Sequence, residues 1–357
     1  MHRNGMLKAL EQAWLGRGSC SPNPGVGAVA VRDGNIVARA WHQGAGNPHA
    51  EQVVLQQLAK NARGVTLYVT LEPCNHWGRT PPCVDAIIKA GVSTVVYGFH
   101  DPNPVVAAND TPSLLRAHGI EVIHYPMDEI DCFYQSYAHW INTGKPWVTA
   151  KMAQSLDGKI AGVDGRPVAL SNPSCGEFTH KQRLHTDVIV TTAQTVIRDN
   201  PRLNVRLGDT QRGKPLAIID RTLKLPENAA VLETASHCHI YHDEQYPVVK
   251  PLARCRYHPV PSRHGRLDLD FIITHLGRLG FHDVWVEAGG RLFSALHDDG
   301  LVNRTFLYIV PELLGEMATS GYHGDQIFKR NHTVSWHARQ NNMILRLDWL
   351  EDGCLPD

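Results

Sequence analysis

The chain has 357 residues, 43% hydrophobic and 20% charged, enough for two packed domains at roughly 100–200 residues each. Acidic and basic residues cancel at 35 each, so no global field draws in a polyanion and a nucleic-acid partner is not expected. The sequence has no run of about 20 apolar residues and no apolar signal near its start, so no membrane span is expected, and a reducing cytoplasm is the expected home of its 8 cysteines.

Apolar spacing predicts a helix over 6–14. Strands are expected over 26–31 and 36–41, joined at Asp33-Gly34, a favourable hairpin turn. A helix over 50–60, a strand over 65–71, a helix over 83–90 and a strand over 92–97 follow. A helix over 113–118 and a strand over 120–124 repeat the order. A hairpin followed by alternating helices and strands indicates an α/β sandwich around one sheet. Asn142-Thr143-Gly144-Lys145-Pro146 then interrupts the pattern with turn formers, which gives domains over 1–143 and 144–357. The second series has strands over 147–153, 187–191, 215–220 and 283–287, and a last pair over 304–310 and 343–349. Its helices are expected over 177–185, 267–279 and 291–298.

His49-Ala50-Glu51 falls where a loop meets a helix, Pro73-Cys74 just after a strand, and Cys83 at a helix start. One imidazole and two thiolates are three zinc ligands, leaving the fourth tetrahedral position for water. Zinc lowers the pKa of that water toward about 7. Glu51 is then the proton carrier between water, substrate ring nitrogen and leaving amine. Zinc deaminases share H-x-E followed by P-C-x-x-C; here the second cysteine comes nine residues after the first. A structural zinc site would want a fourth protein ligand and no adjacent glutamate. Cys20, Cys132, Cys175, Cys238, Cys255 and Cys354 are expected to be packing residues.

Pro22-Asn23-Pro24-Gly25-Val26-Gly27, Pro48-His49-Ala50-Glu51 and Thr70-Leu71-Glu72-Pro73-Cys74-Asn75-His76 resemble one family. Gly78-Arg79-Thr80-Pro81-Pro82-Cys83 and Asp101-Pro102-Asn103-Pro104 extend the likeness. The family is that of the bifunctional riboflavin-biosynthesis deaminase–reductases. The resemblance implies a cytidine-deaminase-like α/β/α sandwich holding one zinc ion per chain. The implied substrate is 2,5-diamino-6-(5-phosphoribosylamino)pyrimidin-4-one, with Asn23, His42 and His76 lining its pocket. The chain departs from the family at Ala107-Ala108-Asn109-Asp110-Thr111, where a Gly-x-Gly turn is usual.

The likeness continues through Lys151, Ser155-Leu156-Asp157-Gly158-Lys159-Ile160-Ala161, Thr195-Val196, Asp199-Asn200-Pro201-Arg202-Leu203-Asn204-Val205-Arg206 and Val286-Glu287-Ala288-Gly289-Gly290-Arg291-Leu292. It implies a dihydrofolate-reductase-like α/β domain that reduces 5-amino-6-(5-phosphoribosylamino)uracil with NADPH. Glycines between a strand and a helix suit a phosphate at a helix N-terminus. Arg183 and Arg206 are suited to gripping the ribose phosphate through forked bonds. By resemblance, Lys151, Pro167, Arg183, Asp199, Leu203, Arg206 and Glu287 contact substrate, and Ala153, Ala169, Thr195, Asp199, Gly289, Gly290, Arg291 and Leu292 contact NADPH. Ala169 stands where the family commonly has tryptophan, and Gly176 near its usual arginine. The alternative is a deaminase whose second half serves binding or assembly. The family also implies a homo-oligomer whose partners are small molecules, with no nucleic acid and no membrane.

Overall fold

Asp33 and Gly34 both take positive φ, 50° and 77°, the mirror-image turn that suits right-twisted strands. They close β1 (Gly27–Arg32) onto β2 (Asn35–Trp41) as an antiparallel hairpin. The computed structural model describes residues 2–58, 62–77, 81–107, 110–324, 327 and 329–350. These divide into two compact units, Met1–Gly144 and Lys145–Asp357.

In the first unit β1 also pairs antiparallel with β3 (Thr66–Leu71), and β4 (Thr94–Phe99) and β5 (Glu121–His124) add in parallel. The strand order is β2-β1-β3-β4-β5. Side chains alternate across this sheet, as the pleat requires. Ala28, Ala30, Leu67, Val69 and Val95 face α2 (Ala50–Gln57), α3 (Cys83–Ala90) and α5 (Thr111–Ala117). The short α4 (Pro104–Ala107) precedes α5. Val29, Tyr68 and Val96 face α1 (His2–Gly16) and α6 (Asp128–Thr143). The result is the expected three-layer sandwich.

Two differences from the sequence reading stand out. The strand expected at 92–97 begins at Thr94, because the left-handed Gly91 ends α3 and Val92-Ser93 complete the turn. Helix α6 was not expected at all, although Ile130, Phe133, Tyr134 and Tyr137 repeat at helical spacing and are buried. The last two residues of the helix expected over 50–60, the segment Gly78-Arg79-Thr80, Ala108-Asn109 of the altered turn, and Cys354 lie outside the described residues.

The second unit is built on one large, mostly parallel sheet. Its parallel part comprises β6 (Trp147–Ser155), β8 (Val188–Thr192), β11 (Leu216–Ile219), β12 (Cys238–Asp243), β13 (Cys255–Val260), β16 (Asp283–Glu287) and β17 (Arg304–Val310). Antiparallel β20 (Asn342–Trp349) and β19 (His332–Arg339) complete one edge. The small ribbons pair β7 (Lys159–Val163) with β18 (Ala318–Ser320), β9 (Val205–Leu207) with β10 (Thr210–Arg212), and β14 (Ser262–Arg263) with β15 (Arg266–Leu267). A parallel sheet needs cover on both faces. Val148, Val190 and Val286 pack toward α10 (Leu269–Arg278) and α11 (Gly290–Asp298). Ile189, Ile218 and Trp285 pack toward α7 (Pro173–His185), α8 (Ala193–Asp199) and α9 (Ala230–Thr234).

Candidate functional site

The N-termini of two helices and the end of one strand bring the first constellation together. His49 is the N-cap of α2, Glu51 lies in that helix's first turn, and Cys83 is the first residue of α3. Cys74 follows β3 and is tied to α3: the Cys83 amide donates to its sulfur (3.4 Å) and the Val84 amide to its carbonyl (3.3 Å). His49 Nδ1 lies 3.2 Å from Cys83 Sγ and 3.5 Å from Cys74 Sγ, and the three donor atoms fall within 4.8 Å of one another. Positive helix ends favour thiolates here. Hydrogen bonds from Cys83 and His49 pull the Cys74 thiol down to about 4, while its bond with Cys74 lifts the His49 imidazole to about 9. A nitrogen and two sulfurs at this spacing suit zinc.

Glu51 is 3% exposed and its Oε2 has no hydrogen-bond partner among the described residues. Burial raises its pKa, only partly offset by His49, so a proton can reside on it and leave again.

His49, Glu51 and Cys74 open on a cavity of about 370 Å³ lined also by Asn23, His42 and His76. His42 donates from Nδ1 to the Pro48 carbonyl (3.2 Å), which fixes the tautomer that accepts at Nε2 from Asn23 Nδ2 (3.0 Å). Burial, and then the nearby His49, keep His42 in that neutral form. His76 Nδ1 is buried without a partner among the described residues. Asp101 opens the Asp101-Pro102-Asn103-Pro104 segment. Asp101 lines the cavity, where burial raises its carboxyl despite bonds from the Asn103 amide (2.9 Å) and the Tyr137 hydroxyl (3.1 Å). Tyr137, Trp140 and Ile141 supply a wall from the unexpected α6.

The second constellation lies on the sheet face covered by α7. Lys151 in β6 is the register partner of Glu287, the last residue of β16. Arg183 of α7 grips Glu287 with both arms of its fork, Nε at 2.6 Å and Nη2 at 2.9 Å, and Trp285 Nε1 adds a third bond at 2.8 Å. The remaining arm of Arg183 donates to the Asn204 carbonyl at 3.0 Å. Arg183, expected to grip a phosphate, here has its fork on Glu287. Arg206 is exposed and donates to the Asn204 side chain. Lys151 Nζ sits 4.9 Å from the Tyr308 ring centre, and burial lowers its pKa, partly opposed by Glu287.

The residues expected around the cofactor gather at strand and helix ends. Thr192 at the end of β8 caps α8, its hydroxyl accepting from the Thr195 amide (3.1 Å), and Asp199 ends that helix. Leu203 follows in a left-handed conformation, φ 47°, with its side chain buried. Pro167 and Ala169 are exposed between β7 and α7, in a loop whose Gly165 abuts the Arg198 guanidinium of α8. Ala153 lies in β6, half-buried. Gly289 caps α11 with open space where a side chain would stand, so an anion can approach its backbone. Gly290 differs: a Cβ there would lie 2.4 Å from the Gly321 carbonyl oxygen, so its lack of a side chain serves packing. Arg291 is exposed, whereas the Leu292 side chain is buried in the core and only its backbone remains for a ligand.

Comparison with known proteins covers both units. Residues 1–99 match the cytidine and deoxycytidylate deaminase zinc-binding region, and residues 146–345 match the RibD C-terminal domain. The riboflavin biosynthesis protein RibD of Escherichia coli is 37% identical over 88% of each chain. That of Aquifex aeolicus is 35% identical over 89% of each. Among solved structures, Acinetobacter baumannii RibD superposes with a TM-score of 0.85 at 31% identity, covering 98% of this chain and 99% of its own. A Thermotoga maritima diaminohydroxyphosphoribosylaminopyrimidine deaminase/5-amino-6-(5-phosphoribosylamino)uracil reductase gives 0.86 at 30% identity with the same coverage.

Proposed function

Since the chain belongs to the RibD family of bifunctional riboflavin-biosynthesis enzymes, we propose that His49, Cys74 and Cys83 hold its zinc and that Glu51 carries the protons of deamination. The enzyme is a zinc-dependent deaminase followed by an NADPH-dependent reductase. The first activity removes the 2-amino group of 2,5-diamino-6-(5-phosphoribosylamino)pyrimidin-4-one as ammonia. The second converts the ribosyl group of 5-amino-6-(5-phosphoribosylamino)uracil to ribityl. One observation carries the site assignment: an imidazole and two thiols converge beside a carboxylate oxygen, Glu51 Oε2, that has no partner among the described residues.

Bound zinc supplies the Lewis acidity that makes water nucleophilic near neutral pH. Glu51 accepts the proton of the attacking water at Oε2 and returns protons to the ring nitrogen and the departing ammonia. Asn23 and His42, locked to each other, orient the pyrimidine, and the unpartnered His76 Nδ1 bonds to it.

NADPH supplies the hydride of the second reaction. The backbone from Gly289 to Leu292, with Ala153, Ala169, Thr195 and Asp199, holds the cofactor. Lys151 supplies the proton that the opening ribose ring requires; burial makes it a stronger acid than a solvated lysine, which supports that role. Glu287 contacts the ribose, Arg206 the phosphate, and Pro167, Leu203 and Asp199 bound the substrate. Arg183 acts on substrate through Glu287, which it orients.

The protein assembles as a homo-oligomer in the cytoplasm. Half-exposed Val334 and Trp336 on edge strand β19, which a second copy would cover, support the first. No disulfide joins the described cysteines, which supports the second. No helix among the described residues is long and apolar enough to cross a membrane.

Glu51→Gln tests the site assignment. It should retain zinc and lose deamination by about 10²–10⁴-fold, because a proton carrier is not a ligand. Loss of zinc from that variant, measured by elemental analysis, would contradict the role.

A further inference from the structure

Two cysteines outside both sites face each other across neighbouring strands. Cys238 opens β12, Cys255 opens β13, and they are register partners in a parallel pair. Paired residues on adjacent strands point to the same face. Adjacent strands run about 4.7–4.9 Å apart, inside the Cα separation of about 4.4–6.8 Å that a disulfide spans. Cys238 is 2% exposed, while Cys255 is partly open to solvent. Arg254 immediately precedes Cys255, held by bonds to the Leu232 (2.6 Å) and Ala235 (3.4 Å) carbonyls, so a fixed positive charge stands beside the more accessible sulfur. Among the described residues no third metal-ligating side chain joins the pair, so it is not arranged as a metal centre.

We propose that Cys238 and Cys255 form a redox-active dithiol that a peroxide oxidises to a disulfide joining β12 to β13. Cys255 is the attacking sulfur, because it is the more accessible of the two; the neighbouring Cys238 and then the charge of Arg254 favour its thiolate, while Cys255 and then burial push the Cys238 thiol up. The Cys255 thiolate attacks hydrogen peroxide: an S–O bond forms, the O–O bond breaks, and hydroxide leaves as water after taking a proton. The Cys238 sulfur then attacks that sulfenic acid: an S–S bond forms, the S–O bond breaks, and the Cys238 proton leaves with the oxygen as a second water. Two electrons pass from the dithiol to the peroxide. The product links the two outermost strands at one edge of the sheet, and an external dithiol reverses it.

The test uses the full, zinc-loaded chain exposed to a small excess of hydrogen peroxide, then alkylated and digested without reductant. The expected result is loss of two alkylatable thiols and a Cys238–Cys255 cross-linked peptide, both reversed by dithiothreitol. Cys255 should react roughly tenfold or more faster than the solitary exposed Cys132, because the thiolate fraction sets the rate. In Cys255→Ser, and equally in Cys255→Ala, Cys238 should remain alkylatable after unfolding. The proposal is overturned if Cys132 oxidises while both partners stay reduced. It is equally overturned if Cys255 proceeds to a sulfinic acid without cross-linking, or if the cross-link forms only in denaturant.

Discussion

Glu287 shows how single side chains decide a site's behaviour. Burial alone would raise its carboxyl, but the Arg183 fork and Lys151 overrule that and hold it at about 2. A carboxyl depressed on folding stabilises the fold above its unfolded pKa, near 4.3, and loses that contribution as pH falls toward the folded value. Glu287→Gln leaves a buried guanidinium without its counter-charge, so it should destabilise by about 3–5 kcal/mol at neutral pH. The gap between wild type and variant in denaturant titrations should then narrow from about pH 4.5 toward 2; a gap constant across that window would refute the assignment. This pair lies 104 positions apart, and no local pattern announces it. The zinc set was legible for the opposite reason: His49 and Glu51 share one turn, and each cysteine sits at an element boundary that the pattern marks.

The elements that escaped the sequence reading share a physical cause. Strand β12 reads Cys-His-Ile-Tyr-His-Asp and is buried throughout, so its polar residues conceal a core strand. Strand β13 carries Pro259, which a sheet tolerates at an edge, and β13 is one. Strand β19 occupies the other edge and keeps most of its residues in solvent. Central strands β16 and β17 showed clean apolar runs and were read to the residue. At the start of α11 the two adjacent glycines have different duties, and alanine separates them. Gly290→Ala forces a Cβ against the backbone of Gly321 and should cost about 1–3 kcal/mol of stability by chemical denaturation. Gly289→Ala meets no neighbour, so its denaturation midpoint should hold while its KM for NADPH rises.

Each unit of the molecule has its own sheet and its own buried clusters. The chemistry divides the same way, since the described metal-ligating trio lies wholly in the first unit. Stripping zinc with a chelator should abolish deamination and leave NADPH oxidation by the deaminated substrate intact, a contrast that absorbance at the NADPH band reads directly. Parallel loss of both activities would mean that the metal also supports the second unit. The order of secondary structure made this two-part plan legible early, whereas α6 and the cavity wall it builds emerged only from the fold. That wall bears on how the gene can be cut. The recognisable zinc-binding region stops at residue 99, and a fragment trimmed after β5, at His124, would still encode every zinc ligand and Glu51. It would lack Tyr137, Trp140 and Ile141, and it would bare the sheet face that Ile130, Phe133 and Tyr134 cover. A fragment that keeps this wall and this cover runs through Gly144, the left-handed cap of α6, from which two residues lead to the reductase's first strand.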